Sequence, residues 1–364
     1  MNPRHLYVHV PFCRRRCTYC DFAIAVRRAV PVERFVGAVA AERRRAGGES
    51  GQLSTLYLGG GTPSLLGAEG LAALARSLGV GPGLDEFTIE ANPEDVTPEA
   101  AAAWVRAGVN RLSLGAQSFD AHVLRWMHRT HDADAIASAV VAARRAGIAN
   151  LSLDLIFALP EALGRDLDAD LDRALALEPD HVSLYGLTVE HDTPLGRRVA
   201  EGRESPAPEA RYEEEYLSVV RRLTADGFRF YEVSNAARPG FEAVHNRAYW
   251  RLAPYVGLGP SAHSFDGASR WWNETAYARW LARVEAGSSP VAGREILRPE
   301  QARLEARYLG LRTSEGIPVP EPPDERLAAA IAGWVGAGWA ALDGGRLRLT
   351  PRGWLRLDEL AASL

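Results

Sequence analysis

Leu6-Tyr-Val-His-Val-Pro-Phe12, running straight into Cys13-Arg-Arg-Arg-Cys17-Thr-Tyr-Cys20, is the stretch on which the reading of this chain turns. A short apolar segment delivers three cysteines in a C-x3-C-x2-C spacing, and the chain has no others. Three thiolates cannot close a four-iron cluster that needs a ligand on each iron. They hold three irons and leave the fourth open to an amino and a carboxylate group of a small molecule. Zinc would need a fourth protein ligand. His9 could supply one, but the x3-then-x2 spacing is not a common zinc pattern. A disulfide would leave an odd thiol, and nothing in the chain suggests secretion.

Outward from this segment, one unit repeats. Apolar strands alternate with amphipathic helices, the mark of parallel βα units. Strands are expected at 5–12, 54–60, 86–92, 111–117, 150–158 and 181–188, and helices at 31–47, 67–79, 97–107, 132–147, 164–177 and 208–226. Thr97-Pro98-Glu99 reads as an N-cap, a first-turn proline and an acid. Gly108 and Gly147 read as helix stops. The strands are not apolar on both faces, as fully covered parallel strands would be. Leu6, Val8 and Val10 alternate with Tyr7 and His9, Phe87 and Ile89 with Thr88 and Glu90, and Leu153 and Leu155 with Asp154. A period of two puts each polar set on one face. With the apolar face under the helices, the polar face lines an interior. The pattern predicts an α/β fold in which a wide, incomplete barrel holds a polar ligand at its strand C-terminal ends. A doubly wound sheet with polar strand ends is the plainer alternative.

Candidate ligand contacts sit at those ends. Gly59-Gly60-Gly61-Thr62-Pro63-Ser64 lets backbone groups approach a ligand closely. Glycine turns are common, and the run lacks a Walker lysine. Glu90, Gln117 and Asp154 face the interior and need a cation or hydrogen-bond donors. An arginine partner within the protein would satisfy each of them equally well. Arg129 suits a ligand carboxylate, and also reads as a solvated helix arginine.

Composition narrows the rest. The 364 residues are 47% hydrophobic, enough for a large core and a smaller domain. All 42 basic residues are arginine, which removes lysine chemistry such as Schiff bases. A formal charge of -4 gives no sign of a nucleic-acid partner. No apolar run reaches the ~18 residues of a membrane span. The first residues, Met1-Asn-Pro-Arg-His5, lead into a strand, so no signal peptide is expected. An oxygen-sensitive cluster without spare cysteines predicts a reducing, cytoplasmic location.

Five segments taken in order strengthen this reading: Tyr7-Val-His-Val-Pro-Phe with the cysteines, Gly59 to Ser64, Glu90-Ala-Asn-Pro93, Arg111-Leu-Ser-Leu-Gly-Ala-Gln-Ser118 and Leu153-Asp-Leu-Ile-Phe-Ala-Leu-Pro160. Together they resemble the HemN/HemW branch of the radical SAM superfamily. The resemblance implies a (βα)6 partial TIM-type barrel carrying a [4Fe-4S] cluster and S-adenosylmethionine. By matching motif, Cys13, Cys17 and Cys20 would hold the cluster. Tyr7, Tyr19, Gly60, Gly61, Thr62, Glu90, Gln117, Arg129 and Asp154 would contact S-adenosylmethionine.

Within the branch, two features depart from the coproporphyrinogen dehydrogenases. Phe22 stands where they extend the motif to C-x3-C-x2-C-x-C, and only twelve residues precede Cys13, too few for their N-terminal arm. His245-Asn246-Arg247-Ala248-Tyr249-Trp250 matches instead the H-N-x-x-Y-W element of the HemW-like members, regarded as haem chaperones that pass haem to respiratory acceptors at the membrane. This implies haem and an acceptor protein as partners. His245 is a candidate iron ligand, beside Trp250, Tyr255, Trp271, Trp272 and Trp280 as flat apolar walls, and His263 is a second. A histidine among aromatics is equally a packed, hydrogen-bonded core group. A radical enzyme of porphyrin biosynthesis stays open, because the whole ligand constellation is retained. Three units are expected: the barrel over 1–235, an aromatic-rich connector over 236–290, and a winged-helix-like α+β domain over 291–364. The last has too few basic residues for DNA and reads as a lid or docking domain.

Overall fold

The computed structural model describes residues 4–46 and 53–364. The start of the expected first unit at residues 1–3 and the expected helix end at residue 47 lie outside the described residues. Six parallel strands form the centre: β1 (His5–Val10), β2 (Thr55–Gly60), β3 (Glu86–Ala91), β4 (Arg111–Gln117), β5 (Asn150–Phe157) and β6 (His181–Gly186). They lie side by side in chain order, each joined to the next by a parallel ladder. The helices between them include Val32–Arg45, Gly67–Ser77, Pro98–Ala107, Ala133–Ala146 and Leu167–Leu175, and Glu209–Ala225 follows β6. The expected elements stand within a few residues of these bounds. Thr97 accepts a hydrogen bond from the Ala100 N–H, and Gly108 and Gly147 end their helices at φ 109° and 100°. A left-handed C-terminal residue suits glycine, which has no Cβ to clash.

The alternation is realised. Leu6, Val8, Phe87, Ile89, Leu112, Leu151 and Leu153 are fully buried in one core with Phe35, Leu74 and Trp104 from the helices. The opposite face carries Tyr7, Tyr57, Glu90, Ser113 and Asp154. The sheet does not close. It continues past β6 through β7 (Arg229–Glu232) and β8 (Asn235–Ala237), and past β1 through β9 (Tyr255–Leu258), β10 (His263–Phe265), β11 (Ser269–Asn273) and β12 (Val291–Ile296). The twelve-stranded order is β12-β11-β10-β9-β1-β2-β3-β4-β5-β6-β8-β7. Strand β9 is parallel to β1, and the remaining additions are antiparallel.

This extension corrects the expected division of the chain. Residues 236–290 are not a separate connector, because β9, β10 and β11 belong to the large sheet. A boundary at 290 falls inside that sheet, since β12 pairs with β11 beyond it. After Ile296 the chain builds a distinct α+β unit. Helices Pro299–Arg312 and Glu325–Gly336 pack with a small antiparallel sheet of Ile317–Pro318, Arg346–Leu349 and Ala340–Asp343. That order of helix, strand, helix and β-hairpin is winged-helix-like.

Candidate functional site

At the C-terminal ends of the parallel strands lies a cavity of about 450 Å³. All three cysteines line it, with Tyr19, Gly60, Gly61, Thr62, Glu90, Gln117, Arg129 and Asp154. The cysteine loop is closed at its base by a short parallel ladder, Phe12 beside Ala25 and Cys13 beside Val26. The Arg27 N–H donates to the Cys13 carbonyl at 2.9 Å. The loop top is tied to two neighbours: the Thr18 N–H donates to the Met127 carbonyl, and the Leu195 N–H donates to the Thr18 carbonyl. Cys13 is buried, and Cys17 and Cys20 are half-buried.

The thiols have donors suited to thiolates. The Thr62 hydroxyl donates to Cys13 Sγ at 3.5 Å, and Arg129 Nη1 lies 3.8 Å from Cys17 Sγ. Burial pushes the Cys13 thiol up, and pushes Cys20 up to about 11. An iron bound to the sulfur reverses that preference, because a coordinating thiol is deprotonated outright. Among the described residues, no three carboxylate, imidazole or thiol groups are gathered as one metal ion requires. Cysteines of a cluster each hold a different iron and need not converge. Position, softness and donors therefore fit an iron–sulfur cluster better than zinc.

The glycine run has a steric reason beyond ligand access. Gly60 adopts φ 111°, and a Cβ there would lie 2.7 Å from the His9 ring. A Cβ on Gly61 would lie 2.8 Å from the Pro11 carbonyl. Strand β2 thus leaves the barrel pressed under the cysteine loop, which larger residues would prevent. At the end of β4 the register slips between Leu114 and Gln117. Gln117 takes φ 66°, and this bend borders the cavity. The missing side chain of Gly115 leaves room for both Gln117 and Arg129. Arg129 Nη2 donates to Asn92 Oδ1 at 2.6 Å and to the Gly115 carbonyl at 2.8 Å, so this arginine is held and not solvated.

Two carboxylates face the same space. Glu90 accepts from Tyr57 Oη at 2.8 Å and from the Gly60 N–H at 3.1 Å. Asp154 accepts from Ser113 Oγ at 3.0 and 3.2 Å. Burial, then repulsion from Asp154, pushes Glu90 up to about 7. Burial likewise raises Asp154 above the usual carboxylate range. Two destabilised anions at one cavity favour a ligand bearing a cation and hydroxyl donors.

Tyr7 is not among the residues that line the cavity. It lies behind it, with Oη 3.2 Å from His9 Nδ1 and its ring stacked on Tyr57. Tyr185 and Leu187, neither of them among the ligand contacts that the motifs imply, line the far wall with Ile156. Tyr185 is 49% exposed, an exposure that opens into the cavity. The alternation of Ser183 and Tyr185 on the polar face was the available signal.

The aromatic segment is dispersed. His245 corrects an expectation: it is fully buried at the N-terminal end of the barrel, opposite the cysteines. Its Nδ1 pairs with Thr55 Oγ1 at 2.7 Å and its Nε2 with Tyr249 Oη at 2.8 Å. Both ring nitrogens are engaged, so in this arrangement neither offers a lone pair to iron. Trp280 is buried against Phe35, its Nε1 donating to Glu42 at 3.0 Å, and Trp250 lies beneath the Arg312 guanidinium. His263 differs. It is exposed on β10, and its ring stacks on Trp272 with centroids 5.9 Å apart.

The radical SAM superfamily profile matches residues 7–174, and that of the HemN C-terminal domain matches 297–356, starting where β12 ends. A protein named heme chaperone HemW from Mycobacterium tuberculosis is 39% identical, covering 100% of this chain and 95% of the relative. Another of that name from Bacillus subtilis is 34% identical over 85% of this chain and 84% of the relative. The solved coproporphyrinogen III oxidase HemN of Escherichia coli, a radical SAM enzyme, superposes with a TM-score of 0.82 at 20% identity, covering 100% of this chain and 90% of that one. At that identity the superposition speaks to the fold alone. The cysteine loop and cavity, joined to chain-long similarity at this level, place the protein: it belongs to the HemW family of the radical SAM superfamily.

Proposed function

We propose that this protein is a haem chaperone, binding haem and passing it to an acceptor protein, with a [4Fe-4S] cluster and S-adenosylmethionine in the barrel cavity. The observation that carries the reading is similarity along all or most of the chain to proteins named heme chaperone HemW. Cys13, Cys17 and Cys20 hold the cluster, whose open iron would accept the amino and carboxylate groups of S-adenosylmethionine. Arg129, 3.8 Å from Cys17 Sγ, would neutralise charge there and could pair with the ligand carboxylate. Glu90 and Asp154 accept from the ligand's ammonium or hydroxyl groups, with Gly60, Gly61, Thr62, Gln117 and Tyr19 around them. Tyr7 acts from behind, through Tyr57.

A cavity of about 450 Å³ suits one small-molecule ligand beside the thiols. The haem is therefore assigned outside it. His263 is the open imidazole of the aromatic segment, with the flat face of Trp272 beside it. Desolvation by its neighbours, although the ring has an exposed edge, and then the Arg270 charge hold its pKa below the ordinary imidazole value, so the ring is neutral at pH 7. The acceptor is read as a respiratory protein at the membrane surface, met from a reducing cytoplasm. Among the described residues no helix is long and apolar enough to cross a membrane.

A second reading, a radical enzyme of porphyrin biosynthesis, is favoured by the intact ligand constellation. One experiment separates them. Anaerobically reconstituted protein is titrated with haemin and assayed with coproporphyrinogen III, dithionite and S-adenosylmethionine. Stoichiometric haem binding without protoporphyrinogen IX is expected. Turnover above a trace rate would promote the enzyme and remove the chaperone reading.

A further inference from the structure

The short helix Val244–Trp250 enters the N-terminal end of the barrel, far in sequence from the strands it touches. Glu86, buried at the start of β3, accepts from the Val244 N–H at 2.6 Å and the His245 N–H at 3.3 Å. These are orphan donors of a helix start, satisfied by a carboxylate at the positive end of the helix. His245 then bridges two hydroxyls, Thr55 on β2 and Tyr249 one turn along its own helix. Its ring packs on Tyr57 with centroids 5.2 Å apart, and Tyr7 stacks on Tyr57 at 6.1 Å. Tyr57 is therefore held by two rings, and its hydroxyl is delivered to Glu90 at 2.8 Å.

We infer that His245 is a positioning residue for the cavity: it seats Tyr57, and Tyr57 orients Glu90 toward the ligand. The chain of contact runs from His245 to Tyr57 to Glu90 to the Gly60 N–H, from the closed end of the barrel to its mouth. A histidine suits the place for two reasons. Its two nitrogens meet two hydroxyls: an apolar ring would leave that of Tyr249 unpaired in the interior and that of Thr55 with His5 Nδ1 alone, at 2.9 Å. Burial also keeps it neutral, pushed down to about 3, so it packs on Tyr57 without adding charge beneath Glu90. The tyrosine of the His-x3-Tyr-Trp pattern thus fixes the imidazole. Trp250 joins the plug to the C-terminal unit, with the Arg312 guanidinium 4.5 Å above its ring.

The inference rests on the reading of the cavity as the S-adenosylmethionine site, and its test keeps the two apart. Reconstituted wild-type protein, His245→Ala, Tyr57→Phe and the double variant are titrated anaerobically with S-adenosylmethionine. The reduced cluster is followed by electron paramagnetic resonance, with haem titrations alongside. Tyr57→Phe removes only the hydroxyl on Glu90 and should weaken binding ~10-fold, the range for a hydrogen bond to a charged group. His245→Ala should weaken it ~3- to 10-fold and shift the ligand-induced resonance signal, leaving haem affinity unchanged. The double variant should be no weaker than Tyr57→Phe, because both act through one carboxylate. Should His245→Ala fail to fold, Thr55→Val replaces it, removing one of the two hydroxyls that hold the imidazole. Equal affinity in wild type and variants, additive losses, or loss of haem with S-adenosylmethionine affinity intact would each overturn the positioning role. A wild type that holds its cluster but binds no S-adenosylmethionine would instead overturn the reading of the cavity.

Discussion

Replacing Glu90 with glutamine keeps the size of the side chain and removes its charge. The wild-type carboxyl rises from an ordinary 4.5 to about 7, first through burial and then through Asp154. At ~1.4 kcal/mol for each tenfold change in proton affinity, that rise corresponds to about 3 kcal/mol. The sign follows from which state holds the proton. Below the ordinary value both folded and unfolded chains are protonated, and nothing is lost. Between 4.5 and about 7 the unfolded chain releases a proton that the folded chain keeps, so stability falls as pH rises. Above about 7 the full loss is present. Glu90→Gln escapes it, so the ligand-free variant should match wild type near pH 4.5 and exceed it by up to ~3 kcal/mol at pH 8. Ligand binding moves the other way. Loss of a charge-assisted acceptor costs about 1.5–3 kcal/mol, roughly ten- to a hundredfold in affinity. Wild-type affinity should strengthen as pH rises toward about 7, while the variant keeps only the weaker dependence that Asp154 contributes. Denaturant unfolding and anaerobic calorimetry across this range read both effects. A variant no more stable than wild type at pH 8, binding S-adenosylmethionine as tightly, would refute the buried-anion account of the cavity.

Asp154→Asn should lose affinity by a similar ~ten- to hundredfold with cluster content unchanged, measured by the same titration. Cys17→Ser should lose the iron and sulfide of the reconstituted protein, since the chain has no replacement thiol; full iron content would remove the cluster assignment. Gly60→Ala forces a Cβ against the His9 ring at φ 111° and should cost at least ~1–3 kcal/mol of stability, read from the denaturant midpoint. His263→Ala should weaken haem binding and shift the Soret band, and an unchanged spectrum would take the iron off β10.

Much of this molecule was legible because its signals are local. Period-two alternation in Leu6 to Val10 or Leu151 to Leu155 marks a strand with one polar face, and Thr97 and Gly108 mark helix ends through their own backbone groups. The cysteine spacing carries its chemistry in eight residues. The places of Glu90 and Gln117 near strand ends, and of Asp154 midway along Asn150–Phe157, follow from counting along the alternating pattern of each strand. Other features were decided by contacts between distant residues. The sheet beyond β1 consists of short strands such as Ser269–Asn273, whose Arg-Trp-Trp core has no clean alternation; their pairing is set by neighbours and not by local propensity. Tyr7 and Tyr185 share the polar face of their strands, yet one lies behind the cavity and the other lines it, because depth along the barrel depends on how far each strand extends. His245 shows the limit most clearly. Its sequence neighbourhood offers a histidine among aromatics, which fits an iron ligand and a core residue equally. What decides between them is Thr55, 190 positions away, together with Tyr57 and Glu86, which the barrel brings around the imidazole. Sequence determined that the chain has a thiolate loop on a parallel α/β barrel, because those patterns are short-range. Tertiary structure decided which polar side chains meet a ligand and which are consumed in holding one another, because burial and hydrogen-bond pairing belong to the assembled interior.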